Sequence, residues 1–172
     1  HGSEGRILIG APKAAIIEFL ARDLAALRAR YPEITLQVLE ENSKIVQQLL
    51  RDKVIDVGIF EKTSGFIDLP QADYRRDRLV LVYSRAHFQF GQPRLTLDEV
   101  LGCPLVTLGR GSAILAAVQR AYQSRGRVFH ANYSVNGFDT MLALVRQGLG
   151  VGLMPPAIFE SFHPEAALGA VA

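Results

Sequence analysis

The chain has 172 residues, 49% of them hydrophobic and 21% charged, with 15 Gly and 8 Pro, which excludes a polar disordered segment and is enough chain to bury roughly 70% of its unfolded surface. Nineteen basic residues against 17 acidic ones leave a net charge of +2, and apart from Arg75, Arg76 and Arg78 the basic residues are scattered, so there is no strong nucleic-acid footprint. The one cysteine, Cys103, excludes an internal disulfide framework and a cysteine-rich zinc cluster.

Ile7, Leu8 and Ile9 form a short apolar run ended by Gly10-Ala11-Pro12, which predicts a buried strand and a turn. Ile17, Leu20, Leu24 and Leu27 follow at helical spacing, one face of a helix from about Ala14 to Arg30 that stops before Pro32. Ile34, Leu36 and Val38 alternate as a strand does. Ser43 is a candidate cap for a second helix carrying Ile45, Leu49 and Leu50. Ile55 to Phe60 is β-branched and apolar, a third strand. Strand and helix alternate throughout, which argues for a parallel sheet with crossover helices.

Residues 61–73 have no clear period, contain Gly65 and Pro70, and read as a connector. Leu79 to Tyr83 is an apolar run of strand type, and Gly91 to Pro93 marks a loop. Thr96-Leu97-Asp98-Glu99 fits a capping box that opens a short helix. Pro104 to Leu108 reads as a strand, Gly109-Arg110-Gly111-Ser112 as a turn, and Leu115, Val118 and Tyr122 mark the helix after it. Val128 to Val135 reads as another strand. Phe138, Met141, Leu142 and Val145 make a helix face closed by Gly148, and Val151 to Met154 is a buried strand stopped by Pro155-Pro156. Leu168 to Ala172 is weakly apolar and stops abruptly, as a chain cut short would. The second half thus repeats the alternation of the first, which predicts two α/β lobes, residues 1–74 and 75–172.

A parallel sheet places ligands at the carboxyl ends of its strands. Three turns fall there. At Gly10-Ala11-Pro12-Lys13-Ala14 a strand feeds a helix amino end, whose free N–H groups favour an anion, and Lys13 adds a full charge; the alternative is a solvated lysine. In Gly109-Arg110-Gly111-Ser112 the glycines allow close backbone approach and Arg110 is able to clamp an acid, the alternative being a plain helix cap. In Asn136-Gly137-Phe138-Asp139, Asn136 is a good cap by type and its amide is a candidate ligand contact. Gly148-Leu149-Gly150-Val151-Gly152 is not a dinucleotide fingerprint, because its glycines end a helix and enter a strand.

His1, His87, His130 and His163 make no metal pair and sit beside no nucleophile. Asp56 stands at the start of a strand, the wrong edge for a ligand, and Cys103 before Pro104 reads as a buried small apolar side chain. No catalytic constellation, metal set or cofactor motif emerges. No apolar run reaches the ~18 residues of a membrane span. His1-Gly2-Ser3-Glu4-Gly5 lacks a signal-peptide core and resembles a tag scar or cut linker, so the expected location is the cytoplasm. The residues by themselves describe a bilobal α/β ligand-binding chain without catalysis.

In the order of its motifs the sequence resembles the effector-binding domain of LysR-type transcriptional regulators. The resemblance runs from about Gly5 to Pro155. It rests on Gly5-Arg6-Ile7-Leu8-Ile9-Gly10, on Arg30-Tyr31-Pro32-Glu33-Ile34, on Glu41-Asn42-Ser43, on Leu50 to Ile59 with its Asp56-Val57-Gly58-Ile59, and on Asn136-Gly137-Phe138. The strongest part is Val145-Arg146-Gln147-Gly148-Leu149-Gly150-Val151-Gly152-Leu153-Met154-Pro155. It implies two Rossmann-like lobes with mixed, mostly parallel sheets, similar to type 2 periplasmic binding proteins, with a small effector in the cleft.

It further implies homodimers or homotetramers, no cofactor, and an effector site. The matching positions are Pro12, Lys13 and Ala14, Asn42 and Ser43, and Phe60 in the first lobe, and Leu108, Gly109, Arg110, Asn136, Gly137 and Phe138 in the second. The family often has a serine in the first loop; here Lys13-Ala14 stands instead, and a salt bridge from Lys13 to an acidic effector is the expected substitute. The winged helix-turn-helix of the family is not in the sequence, so DNA contact is expected only through a missing amino-terminal domain, and the family's final return to the first lobe has no match after Ala172. The alternatives are a periplasmic solute-binding protein and an enzyme, such as a transferase, acting on an anionic substrate.

Overall fold

Strands with one or two apolar faces and helices with one apolar stripe must stack in layers to hide both. The chain does so in two compact units, His1–Arg75 and Arg76–Ala172. The structure, a computed structural model, describes residues 5–62, 65, 67–91 and 94–172. The expectations for His1 to Glu4, for Thr63, Ser64 and Phe66 in the predicted connector, and for Gln92 and Pro93 in the predicted loop, lie outside the described residues.

The first unit runs β1 (Gly5–Ala11), α1 (Lys13–Ala15), a π-helical stretch (Ile16–Leu20), α2 (Ala21–Arg30), β2 (Ile34–Glu40), α3 (Ser43–Arg51) and β3 (Val57–Gly58). Its sheet is parallel, in the order β2-β1-β3. β1 and β2 pair from Gly5 opposite Ile34 to Ala11 opposite Glu40. Gly10 and Ala11 therefore belong to the ladder and not to a turn. The third strand is shorter than the apolar run Ile55 to Phe60 suggests. Asp56 replaces the ladder at its start: its N–H donates to the Leu8 carbonyl at 2.8 Å, and its Oδ2 accepts the Leu8 N–H at 2.8 Å.

The first helical run also differs from its periodicity. A π turn closes from i to i+5, so one turn takes in an extra residue and rotates what precedes it. Ile16 then joins Leu20 and Leu24 against Ile7, Ile9, Ala11 and Ile59, while Ile17 faces outward at 50% exposure. In α3 the cap is Asn42, one residue before the predicted Ser43; its Oδ1 accepts the Ile45 N–H at 2.9 Å. The buried face is accordingly Ser43, Val46 and Gln47, and Ile45 lies outside.

The unit's last residues are clamped to α2. The Tyr74 hydroxyl donates to the Asp23 carboxylate, Arg75 Nη2 donates to the same Oδ2 at 3.1 Å, and the Phe19 ring meets Tyr74 edge-on. Burial, followed by the Asp23 hydrogen bond and charge, pushes the Tyr74 hydroxyl up to about 12. A raised folded value means that this proton's contribution to stability is complete below the ordinary value of 10.0 and is lost as pH rises toward about 12. Ultraviolet titration should therefore show Tyr74 ionising at the alkaline end of the tyrosine range, and Asp23→Asn should bring it down toward 10.0. An unshifted Tyr74 in the native protein would show that the clamp does not form.

The second unit runs β4 (Val80–Ser84), α4 (Leu97–Leu101), β5 (Leu105–Leu108), α5 (Ala113–Gln123), β6 (Tyr133–Val135), α6 (Phe138–Arg146), β7 (Val151–Met154), α7 (Pro156–Ser161) and β8 (Leu168–Val171). The strand order is β6-β5-β7-β4-β8, with β4 antiparallel to both neighbours and the β5 pairings parallel. The mixed, mostly parallel sheets are those expected. Phe138, Met141, Leu142 and Val145 all sit at 3% exposure or less, the face their spacing predicts. The capping box closes both ways, Glu99 N–H to Thr96 Oγ1 and Thr96 N–H to Glu99 Oε2.

One expectation in this unit needs correction. The strand proposed for Val128 to Val135 is only Tyr133–Val135, an edge strand, and Val128 is 73% exposed; local strand propensity does not build a strand without a partner to pair. Pro155-Pro156 ends β7, as expected, and also opens α7, because a proline in the first helical turn has no N–H to lose. The weakly apolar stretch at the end of the sequence forms strand β8, Leu168–Val171, paired with β4.

Gly148 ends α6 with φ at +73°, and a Cβ there would lie 2.2 Å from the His87 ring. That ring is held by Ser84, whose Oγ is 2.8 Å from His87 Nδ1. Left-handed backbone strain and displacement of the ring together predict that Gly148→Ala costs about 2 kcal/mol of unfolding free energy. Denaturant unfolding of Gly148→Ala with and without His87→Ala measures this; the second change should restore part of the loss, and an unaltered midpoint in the single variant would refute the packing argument.

Candidate functional site

In each unit the parallel strands share one carboxyl edge, where loops leave the sheet and backbone groups turn free. In the first unit Pro12–Ala14 follow β1, Asn42 and Ser43 follow β2, and Phe60 follows β3. In the second, Leu108 ends β5, Gly109 and Arg110 follow it, and Asn136 and Gly137 lie between β6 and α6. Each set of predicted residues is gathered at one edge of its own unit.

The first edge is less open to an anion than its sequence suggests. Lys13 Nζ lies 3.0 Å from Glu40 Oε2, with the two side chains 39% and 51% exposed. The Asn42 amide oxygen is committed to the cap of α3. Ser43 is 2% exposed, and its Oγ accepts the Glu61 N–H at 3.1 Å. Two expected ligand contacts thus serve the protein's own backbone. Glu40 carries no motif, and sequence reasoning missed it; the one signal that would have found it is the β1–β2 register, which sets the end of β2 beside the loop that carries Lys13.

In the second edge, the Gly109 N–H donates to the Val135 carbonyl at 3.0 Å. This draws the two loops together, and the Asn136 Oδ1 lies 3.7 Å from where a Gly109 Cβ would be. Ser112 caps α5 through the Leu115 N–H at 3.4 Å. Asn136 is not the cap of α6 as expected: Gly137 occupies that position without a side-chain bond, and Asn136 is left exposed. Arg110 is exposed, while the Phe138 side chain is 3% exposed and belongs to the core. What Phe138 offers at the edge is backbone.

The remaining candidates carry structure. Cys103 is half-buried with its thiol 3.4 Å from the Glu99 carbonyl, and burial followed by the nearby Glu99 charge raises its pKa, so the thiol stays protonated and weakly reactive. Gly150 and Gly152 lie against Pro104 and Met141, at the entry to β7 and within it. Among the described residues no group of three His, Cys, Asp or Glu side chains is placed to hold a metal. No described helix is long and apolar enough to cross a membrane. A cavity of about 500 Å³ opens in the second unit beside Tyr83, Arg85, Phe88, Gln89, Phe90 and Gly91, and none of the predicted site residues lines it.

Comparison with known proteins agrees with this architecture. Residues 1–171 match the family described as the LysR substrate binding domain. An uncharacterised HTH-type transcriptional regulator of Bacillus subtilis, YwbI, is 24% identical over 162 residues, which is 94% of this chain and 54% of that protein; the chain therefore spans about half the length of such relatives. Among solved structures, a mutant OxyR of Corynebacterium glutamicum with hydrogen peroxide bound superposes with a TM-score of 0.84 at 20% identity, covering 98% of this chain and 53% of that one. The effector-binding domain of QuiR in complex with shikimate gives 0.83 at 15% identity, covering 98% and 80%. With the match extending over both units, the chain belongs to the LysR substrate-binding domain family.

Proposed function

We propose that this chain is the sensor part of a bacterial transcriptional regulator, taking a small effector with an acidic group at the carboxyl edges of its sheets. The observation that carries this reading is the gathering of the family's loop positions at those edges, over a family match of residues 1–171. Pro12, Lys13, Ala14, Asn42, Ser43 and Phe60 are the edge positions assigned in the first unit, with Asn42 and Ser43 shaping the edge through oxygens that already accept from the Ile45 and Glu61 N–H groups. Leu108, Gly109, Arg110, Asn136, Gly137 and Phe138 are those assigned in the second. Lys13 and Arg110 are the cations that favour an acid. Shikimate on QuiR is a carboxylate of that kind. The relatives are HTH-type regulators and not transport proteins, which favours sensing over solute delivery and over catalysis.

In this reading the DNA contacts come from another segment of a longer, cytoplasmic protein that works as a homodimer or homotetramer. The effector acts only through its differential affinity for two states of the regulator, since a ligand that binds both equally shifts nothing.

Thermal melting against a panel of organic acids, amino acids and neutral analogues tests the reading. A ligand at ~100 times its Kd stabilises the native state by about 2.7 kcal/mol, so a binding acid should raise the melting temperature by several degrees. Lys13→Met should abolish most of that rise while leaving the unliganded midpoint nearly unchanged, because an exposed ion pair is worth under about 1 kcal/mol. A rise that survives Lys13→Met removes Lys13 from the site, and a rise confined to neutral compounds refutes the acidic effector.

A further inference from the structure

Lys13 does not wait for a ligand with an empty hand. The register of β1 and β2 puts Glu40 opposite Ala11, two residues before Lys13. The Glu41 N–H donates to the Ala11 carbonyl at 3.1 Å, which fixes the end of β2 at this point. From there the Glu40 carboxylate takes one N–H of the Lys13 ammonium at 3.0 Å. An ammonium has three donors, so an incoming anion either displaces Glu40 or shares the cation with it. Displacement leaves a carboxylate without its counter-charge; sharing sets two anions side by side. Either route disfavours an anion at Lys13, and the two side chains, 39% and 51% exposed, lie open enough for approach from solvent.

We propose that Glu40 is a specificity-determining residue of the effector edge: its carboxylate screens Lys13 and sets how strongly the edge accepts anions. The proposal deepens the effector reading and rests on it. An exposed pair contributes at most about 1 kcal/mol, so removing the carboxylate should strengthen anion approach to Lys13 by about two- to five-fold.

The chain has four lysines, Lys13, Lys44, Lys53 and Lys62, so each can be followed separately by mass spectrometry. The probes are succinimidyl acetate and its sulfonated analogue, which transfer the same acetyl group to the amine and differ in the charge of the reagent. Their rate ratio at one lysine, anionic over neutral, cancels any change in the fraction of free amine. In the native protein the ratio at Lys13 should lie below that at Lys44 and Lys53, both exposed. Glu40→Gln should raise it about two- to five-fold at Lys13 alone, Glu40→Asp should not, and the rise should shrink at high salt as screening replaces the carboxylate's effect. An unchanged ratio in Glu40→Gln, or an equal change at Lys44 and Lys53, overturns the proposal. That failure would leave the effector reading intact, since the effector reading stands or falls on the melting scan and Lys13→Met.

Discussion

The parallel ladder between β1 and β2 is the contact on which the first unit turns. It runs without a slip from Gly5 and Ile34 to Ala11 and Glu40. Because residues alternate across a strand, a slip of one would send every side chain of β2 to the other face. The same register carries Glu40 to the loop that holds Lys13, brings the Glu41 N–H onto the Ala11 carbonyl, and delivers Asn42 to the start of α3. The chemistry of the edge is thus a consequence of how the two strands pair.

The second unit depends on a different constraint, the seating of α6 on its sheet. Met141, Leu142 and Val145 are fully buried, and Gly152 in β7 leaves room for the Met141 sulfur, which would stand 2.7 Å from a Cβ there. The helix must then end sharply for β7 to begin at Val151. Gly148 makes that turn in a left-handed conformation and leaves its open face to His87. The loop after β4 and the end of α6 are in this way fitted to each other.

Electrostatics at the first edge are balanced. The net charge of +2 and the presence of Lys13 invite the idea of a simple anion trap. The Lys13–Glu40 pair denies it. In a sensor this has a physical use: an edge that accepted every anion would be saturated by the commonest ones, whereas an occupied cation responds only to a ligand with further contacts. Specificity is a difference of affinities, so an internal carboxylate raises it only where the right ligand offsets the cost with contacts that other anions do not make.

Sequence alone determined the class of architecture and much of the core. The 3.6-residue period of Phe138, Met141, Leu142 and Val145, the capping box at Thr96 and Glu99, and the glycine exit at Gly148 are local signals, and local hydrogen bonding and helical geometry were enough to realise them. The loops that gather at the strand ends were legible for the same reason, since glycine, proline and polar residues interrupt apolar runs. What the tertiary structure decided were the features that need a partner distant in the chain. The π turn moved Ile16 inward in place of Ile17 because Ile7, Ile9 and Ile59 are there to receive it. Asp56 became a ladder substitute because Leu8 lies beside it, and Val128 stayed outside the sheet for lack of a neighbour. Glu40 has no local pattern to mark it; only the pairing of two strands set it against Lys13, and a one-dimensional sequence does not contain that distance.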